Sequence, residues 1–288
     1  MARYPDLRYL FGGPSRSNVP ISEACWLARL LKLRTERRWQ YVGAAFAFRL
    51  APLSRCESVK YDGFDMSYRN SPSTGTNTVI DLYTWTTPNG RKVSIALEEF
   101  ALPYAAHAVD IGNGDQFKPD FLKISPNNRI PAIVDRDNGM SLMESGAILI
   151  YLADKTGKLL PNSGEARYRT IEWLMWQMGG PGPMFGQVHH FLKYNKGKAP
   201  YAEERYLKEA RRLYGVLDRR LDDREYVADD YSIADIAIWP WVSRYEWQTI
   251  DLNQYPNVKR WYVAIAKRPA TQKGYKIPKD VGEVPMPT

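Results

Sequence analysis

The segment 87–90 (TPNG) lies between a run rich in β-branched and aromatic residues, 79–85, and a run with apolar residues at helical spacing, 91–100. This pattern predicts a strand that leads directly into a helix, with Thr87 as the N-cap. The first turn of a helix offers free backbone N–H groups and the positive end of the helix dipole, and both lower the pKa of a thiol placed there. We therefore expect Thr87 and Asn89 either to stabilise a thiolate sulfur or, in the alternative interpretation, only to cap the helix and fill its first turn.

The elements around this segment predict two domains. Over 77–160 the predicted order is strand, helix, three strands and helix, which is the order of a thioredoxin-like unit whose first two strands are parallel, with a right-handed crossover. After Pro161 the strand signals stop, and helical periodicity predicts an all-α domain over 161–288. The predicted fold class is therefore α/β plus all-α. The periodic runs of the second domain are 167–177, 201–221, 232–247 and 258–267.

The positions of the cysteines limit the redox chemistry of these domains. Cys25 and Cys56 are the two cysteines of the chain, and residues 77–288 contain none. Two cysteines cannot form a disulfide framework. In a redox-active thioredoxin a Cys-x-x-Cys pair occupies the place where the first strand meets the first helix, which here reads TPNG. A thiolate at this helix must therefore be supplied by a ligand.

Charge and hydropathy exclude other classes of protein. The formal net charge is +8, but residues 1–76 hold 12 Lys and Arg against 6 Asp and Glu, so the remainder is near neutral and needs no nucleic-acid partner. The longest weakly polar stretch, 41–53, is shorter than the ~20 apolar residues that cross a bilayer. The adjacent His189 and His190 have no second cluster of metal ligands and are interpreted as structural, which leaves no predicted metal site.

Residues 1–76 differ from the rest of the chain. They contain a possible basic amphipathic helix, 22–39, and end in a polar linker, 70–77 (NSPSTGTN). Three interpretations stay open: a basic, poorly ordered extension, a start codon assigned too early with the product beginning at Met66, and a targeting peptide. The segment lacks the continuous apolar region and cleavage signal of a secretory peptide.

Four motifs in order connect these elements to a known family. Together with the domain order, they resemble the glutathione transferase family, and in particular its Nu-class branch, which includes bacterial glutathione-dependent disulfide-bond oxidoreductases. The resemblance covers about residues 79–270. The last motif also predicts a helix that begins with a capping box, with Ser232 as N-cap and Asp235 at the third position. The motifs are 87–92 (TPNGRK), 125–132 (SPNNRIPA), 144–149 (ESGAIL) and 232–241 (SIADIAIWPW).

The resemblance implies that glutathione binds in the cleft between the two domains. Thr87 and Asn89 then hold its sulfur as the thiolate. The Ile130–Pro131 bond is expected to be cis, as in the family, which exposes the backbone of Ile130 to pair with the cysteinyl residue of the ligand. From the residues alone, a trans proline at the start of a strand is the alternative. Arg129 is placed to reach the glycyl carboxylate.

The opposite end of glutathione is expected at the start of the next helix. Ser145 can bind a carboxylate through its hydroxyl and N–H, and Glu144 offers an acceptor for an α-ammonium. The alternative is a helix cap with an acidic residue before it. Gln116 matches a glutamine of the branch that contacts the ligand. Arg205 matches an arginine of the branch that helps to hold a second glutathione beside the first. Its alternative is a solvated helix charge paired with a glutamate at i+4.

The resemblance implies a reductase of disulfides with glutathione as its cofactor, bound as two reduced molecules per subunit or as glutathione disulfide. One thiolate attacks the substrate disulfide, and the second resolves the mixed disulfide. Two alternatives stay open: a transferase that conjugates glutathione to electrophiles, and a non-enzymatic regulatory or binding module on the same fold.

The expected partners are small thiol and disulfide substrates, without nucleic acid or membrane. A homodimer is expected from the family. Because no signal segment is evident and glutathione is abundant in reducing compartments, we expect a cytoplasmic location.

Overall fold

The computed structural model describes residues 79–288, and the predictions for residues 1–76 lie outside that range. The N-terminal part of the described chain is built on a sheet whose strands lie in the order β2-β1-β3-β4. β1 and β2 are parallel, whereas β1 with β3 and β3 with β4 are antiparallel. The predicted thioredoxin-like domain is confirmed. These strands are β1 (Ile80–Thr84), β2 (Tyr104–Ala108), β3 (Ala132–Asp135) and β4 (Ser141–Met143).

Three α-helices accompany this sheet. α1 (Pro88–Phe100) makes the crossover between the parallel strands, α2 (Pro119–Ile124) precedes β3, and α3 (Ser145–Thr156) follows β4. A single 3-10 turn, Asp115–Phe117, lies before α2. The sequence pattern predicted α1 and α3, but it did not predict the short α2.

The rest of the described chain is helical, as predicted. The Gly/Pro segment 179–183 separates two helices, because α4 ends at Gly179 and α5 begins at Pro181. α5 continues directly into a π-helical turn, His189–Tyr194, and two 3-10 turns, Tyr245–Gln248 and Leu252–Gln254, lie between α7 and α8. The helices are α4 (Gly164–Gly179), α5 (Pro181–Val188), α6 (Pro200–Arg220), α7 (Ile233–Val242), α8 (Pro256–Ala266) and α9 (Pro269–Tyr275).

α7 is the central helix of the core. All ten of its residues are buried, as expected for a helix that is apolar on every side. Its N-terminus carries the predicted capping box: the Ser232 hydroxyl accepts from the N–H of Ala234, and the Asp235 carboxylate accepts from the N–H of Ser232. α7 packs against α1 and α4, so it joins the sheet domain to the helical domain.

Candidate functional site

The turn between β1 and α1 presents the start of a helix, as the sequence predicted. Thr87 has extended backbone angles and its hydroxyl accepts a hydrogen bond of 3.2 Å from the N–H of Gly90. The backbone carbonyl of Thr87 accepts from the N–H of Arg91 at 3.0 Å, which closes the first turn. Thr87 is therefore a helix cap, and its hydroxyl proton is left to be donated outward, because the capping bond uses the oxygen only as an acceptor.

Gly90 allows this turn to pack closely. A Cβ built on Gly90 would lie 2.2 Å from the carbonyl oxygen of Trp85 and 2.5 Å from the Thr84 hydroxyl. Neither atom belongs to a flexible side-chain end that could move away. The start of α1 can therefore lie this close to the end of β1 only because residue 90 has no side chain.

Gly90→Ala is expected to lower the free energy of unfolding by about 1–3 kcal/mol, because the added methyl group forces the start of α1 away from β1. Chemical denaturation of the full chain measures the change. Gly215→Ala is the matched control within a helix, since its Cβ would meet only the side chain of Arg219 at 3.4 Å. That control is expected to stay within about 1 kcal/mol of the wild type. Equal stability of Gly90→Ala and the wild type would contradict the close packing.

Asn89 is fixed by a residue of the helical domain. Its side-chain carbonyl oxygen accepts a hydrogen bond of 3.0 Å from the indole N–H of Trp241 on α7. This bond settles the orientation of the amide, so the NH₂ group of Asn89 points away from Trp241 and remains a donor. The predicted alternative, in which Asn89 only fills the first turn, does not require this contact.

Asn89 and Trp241 line a cavity of about 640 Å³ between α1 and the helical domain. Among its described lining residues, Lys92 is the one lysine or arginine, and none is acidic. The other lining residues include apolar and aromatic side chains and three amides. The cavity therefore suits an anionic ligand with both polar and apolar parts. Its lining residues are Asn89, Lys92, Gln177, Met178, Gly182, Pro183, Gly186, Gln187, His190, Phe191 and Trp241.

Lys92 is buried beneath this cavity with 1% of its surface exposed. Its ammonium donates to the Gln177 side-chain carbonyl at 2.6 Å and to the Ser145 hydroxyl at 3.3 Å. Burial lowers the pKa of Lys92 to about 7, and the nearby carboxylate of Glu144 opposes that change. The amide nitrogen of Gln177 is itself buried and has no partner among residues 79–288.

Ser145 and Glu144 lie at the start of α3, as predicted. Ser145 is the first residue of the helix and is 4% exposed, whereas Glu144 is exposed and is the N-cap. Glu144 has φ 71° and ψ 110°, in the region of positive φ that non-glycine residues rarely adopt. Such backbone strain is found at ligand-binding positions, where the surrounding structure imposes it. The carboxylate of Glu144 and the hydroxyl of Ser145 thus lie next to each other at a helix N-terminus.

The Ile130–Pro131 bond is cis, as expected. Ile130 is half-buried, and its backbone N–H and C=O make no hydrogen bond within the described part of the chain. Arg129 is exposed and donates to the backbone and side-chain oxygens of Asn128. Gln116 lies in the 3-10 turn, donates weakly to the carbonyl of Ile111 at 3.4 Å, and has a buried side-chain oxygen with no partner among residues 79–288.

Arg205 lies apart from the cavity beside Asn89. It is exposed on α6 and lines a second surface cavity of about 690 Å³. The predicted alternative, an i+4 pair with Glu209, does not form: both oxygens of Glu209 accept from Arg212 instead, at 2.7 and 2.8 Å. The two cavities are adjacent, because Phe191 of the first stacks on Tyr206 of the second with ring centroids 5.4 Å apart.

The structure therefore brings some of the predicted residues together and not others. Asn89 lines the first cavity, and Ser145 is joined to it through Lys92. Gln116, Arg129 and Arg205 do not line that cavity. The sequence did not predict a role for Lys92 or Gln177, although Lys92 ends the motif TPNGRK.

Comparison with known proteins identifies the family. Residues 78–154 match the model of the glutathione S-transferase N-terminal domain, and residues 182–269 match that of the C-terminal domain. The chain belongs to the glutathione transferase family. This glutathione transferase is 53% identical over 199 residues to the disulfide-bond oxidoreductase YfcG of Escherichia coli, an alignment that covers 67% of the chain and 93% of YfcG.

Solved glutathione transferases share the fold. The chain resembles one from Pseudomonas putida, solved with one glutathione disulfide per subunit, with a TM-score of 0.68 and 46% identity over 72% of this chain and 94% of that one. It also resembles one from Pseudomonas fluorescens, solved with two glutathione molecules bound, with a TM-score of 0.65 and 48% identity over 69% of this chain and 93% of that one. Across residues 79–288, this glutathione transferase has no helix long and apolar enough to cross a membrane, and no group of three or more His, Cys, Asp or Glu placed to hold a metal.

Proposed function

We propose that this glutathione transferase reduces disulfides with glutathione and uses no sulfur of its own. The observation that carries the proposal is the amide of Asn89, which Trp241 fixes at the N-terminus of α1 next to the cavity that Lys92 also lines. The region from 77 to 288 contains no cysteine, so the reactive sulfur is that of glutathione. Two glutathione molecules reduce one disulfide and give two thiols and glutathione disulfide.

The residues of the chain supply position and electrostatic stabilisation. The Thr87 hydroxyl, the amide of Asn89 and the free N–H groups of α1 favour the thiolate over the thiol. The backbone of Ile130 pairs with the cysteinyl residue, and Arg129 reaches toward the glycyl carboxylate. Glu144 and Ser145 bind the ammonium and the carboxylate of the γ-glutamyl group. Gln116 lies in the 3-10 turn before α2, from where it reaches toward the ligand.

Several finer assignments belong to the same proposal. The chain acts as a homodimer in the cytoplasm, and two reduced glutathione molecules, or one glutathione disulfide, occupy each subunit. Two solved relatives support this stoichiometry: the Pseudomonas putida structure has one glutathione disulfide per subunit, and the Pseudomonas fluorescens structure has two glutathione molecules bound. The domain limits proposed here are 77–160 for glutathione binding and 161–288 for the helical domain.

Conjugation to electrophiles is a second candidate function, and the composition of the cavity favours it. Met178, Pro183, Phe191 and Trp241 form an apolar wall beside Asn89. An apolar electrophile fits such a wall better than a second tripeptide does. The exposed cavity that contains Arg205 supports the disulfide reaction instead, because a guanidinium recognises the carboxylates of a second glutathione.

The first experiment compares the two reactions on the full chain. Glutathione-dependent reduction of a small hydroxyalkyl disulfide is measured beside conjugation of chlorodinitrobenzene at the same glutathione concentration. We expect disulfide reduction to dominate. Dominant conjugation would overturn the proposal in favour of the second candidate. Binding to a glutathione matrix without either reaction would support the third interpretation, a regulatory module.

Arg205→Ala is expected to lower kcat/KM for the disulfide about tenfold and to leave conjugation within about twofold, because only the disulfide reaction needs a second glutathione. Lys208→Ala is the matched control, since Lys208 is exposed on the same helix and lines the same cavity. Equal losses in both reactions, or equal losses in both variants, would show that Arg205 does not recognise a second glutathione.

A further inference from the structure

Lys92 is a buried, titratable residue to which the proposed function gives no role. It is the fifth residue of α1 and faces away from solvent, because α3, α7 and α9 all pack against this helix. No carboxylate of residues 79–288 forms an ion pair with it. Burying an ammonium without a paired anion destabilises the folded state. The contacts of Lys92 must therefore show what this buried side chain does.

Those contacts join three helices. The Lys92 ammonium donates to the hydroxyl oxygen of Ser145 on α3, at 3.3 Å, and to the side-chain carbonyl of Gln177 on α4, at 2.6 Å. A third, weaker contact of 3.4 Å reaches the sulfur of Met178. Because Ser145 and Gln177 accept from one nitrogen atom, their side chains lie side by side, one from each domain.

The bond to Lys92 decides what Ser145 can do. In its ammonium form Lys92 has donors and no acceptor, so Ser145 then accepts from it and must give its own proton to a different atom. Within the described chain, the one acceptor for that proton is the sulfur of Met178, which lies 3.7 Å from the Ser145 hydroxyl oxygen. A thioether is a weak acceptor, and a carboxylate oxygen at the N-terminus of α3 would replace it. Lys92 thus keeps the Ser145 hydroxyl oriented as a donor.

Gln177 in turn keeps Lys92 in place. Its carbonyl oxygen makes the shortest of the three contacts, and its amide nitrogen lies against Gly182, where an added Cβ would be 2.8 Å away. Because Gly182 has no side chain, the side-chain amide of Gln177 fits beside it. Through this chain of contacts, residues of α4 and α5 set the orientation of a hydroxyl in the thioredoxin-like domain.

We propose that Lys92 is a positioning residue for recognition of the γ-glutamyl carboxylate: held by Gln177, its ammonium orients the Ser145 hydroxyl as a donor and adds a positive charge behind it. This inference rests on the proposed function to the extent that the ligand is glutathione. A carboxylate bound beside Ser145 would oppose the lowering of the Lys92 pKa by burial and favour the ammonium form.

The test is a binding experiment that avoids sulfur chemistry. Calorimetry with S-methylglutathione, which has no thiol, measures the affinity of the full-length wild type, Lys92→Met, Ser145→Ala and the double variant. Two S-methyl analogues are measured in parallel, one lacking the α-carboxylate and one lacking the α-amino group of the γ-glutamyl residue. Lys158→Met is the control variant, because it makes the same substitution at an exposed lysine that lines neither of the two cavities.

Lys92→Met is expected to weaken S-methylglutathione about tenfold and to leave affinity for the carboxylate-free analogue within about twofold. Its effect on the analogue without the amino group should match its effect on S-methylglutathione. In the Ser145→Ala background, Lys92→Met should add less than about threefold, because the two residues act on one contact. Lys158→Met should change none of these affinities by more than about twofold.

Other outcomes overturn the inference. Equal losses for all three ligands would show that Lys92 supports only the fold, and additive losses in the double variant would show that it does not act through Ser145. If Lys92→Met fails to fold, Gln177→Met provides the same test, since it frees the ammonium from its strongest contact; unselective weakening there also overturns the inference. A wild type that does not bind S-methylglutathione overturns the proposed function as well, whereas the other failures leave it standing.

Discussion

Replacing Asp235 with alanine is expected to lower the free energy of unfolding by at least about 3 kcal/mol. The side chain is fully buried at the start of α7, and each of its oxygens accepts two hydrogen bonds. One oxygen accepts from the N–H of Val227 at 3.1 Å and the indole N–H of Trp261 at 2.9 Å. The other accepts from the N–H and the hydroxyl of Ser232 at 3.0 and 3.1 Å.

The size of this effect follows from the donors that alanine would leave unpaired. The N–H groups of Val227, Ser232 and Trp261 are all in the core, where each unmade hydrogen bond costs about 1–3 kcal/mol. Burial raises the pKa of Asp235 to about 6, and the four hydrogen bonds oppose that change. The bond to Trp261 connects α7 to α8, so its loss weakens the packing of the helix that carries Trp241 at the candidate site.

Denaturation of Asp235→Ala and two control variants measures the effect. Ser232→Ala removes the hydroxyl cap of α7 and one of the four hydrogen bonds to Asp235, and it is expected to cost about 1 kcal/mol. Asp120→Ala removes an exposed carboxylate that pairs with Lys123, and we expect a change below about 0.5 kcal/mol. A loss for Asp235→Ala no greater than that for Ser232→Ala would contradict the central role of this carboxylate.

Local signals explain what the sequence alone could predict of this fold. The TPNG turn with Thr87 as N-cap, the capping box of Ser232 and Asp235, and the break at the Gly/Pro segment all depend on residues close in sequence. The cis bond at Ile130 was expected only because of the family resemblance, since cis is the minority form of an X-Pro bond.

Contacts between distant elements account for what the sequence could not predict. Helical periodicity places Arg91 and Lys92 on the polar side of α1, yet both are buried. Arg91 is covered by Tyr275 of α9, whereas Lys92 is covered by residues of α3 and α4. Trp241 is mostly buried, but its indole N–H also fixes Asn89. Both facts depend on packing between segments that are distant in the sequence.

The double variant Thr87→Ala, Asn89→Ala is expected to reduce glutathione-dependent disulfide reduction about a hundredfold or more, because it removes both side-chain donors that face the thiolate. Loss of the cap also lowers the free energy of unfolding by about 1 kcal/mol, so activity is measured well below the unfolding transition. Thr87→Ser is the control, since it keeps a hydroxyl at the N-cap. An unchanged rate of disulfide reduction in the double variant would overturn the assignment of this site.

Asn89→Asp separates the amide donor from the structural contact with Trp241. An aspartate can still accept from the indole N–H, as the Asn89 oxygen does at 3.0 Å, so the packing between α1 and α7 is kept. It has no N–H to donate, and its negative charge repels a thiolate and raises the thiol pKa. We therefore expect Asn89→Asp to be at least as damaging to activity as Asn89→Ala, with the loss smaller at high pH. Activity close to that of the wild type would mean that Asn89 acts through its contact with Trp241, and that the N–H groups of α1 stabilise the thiolate without it.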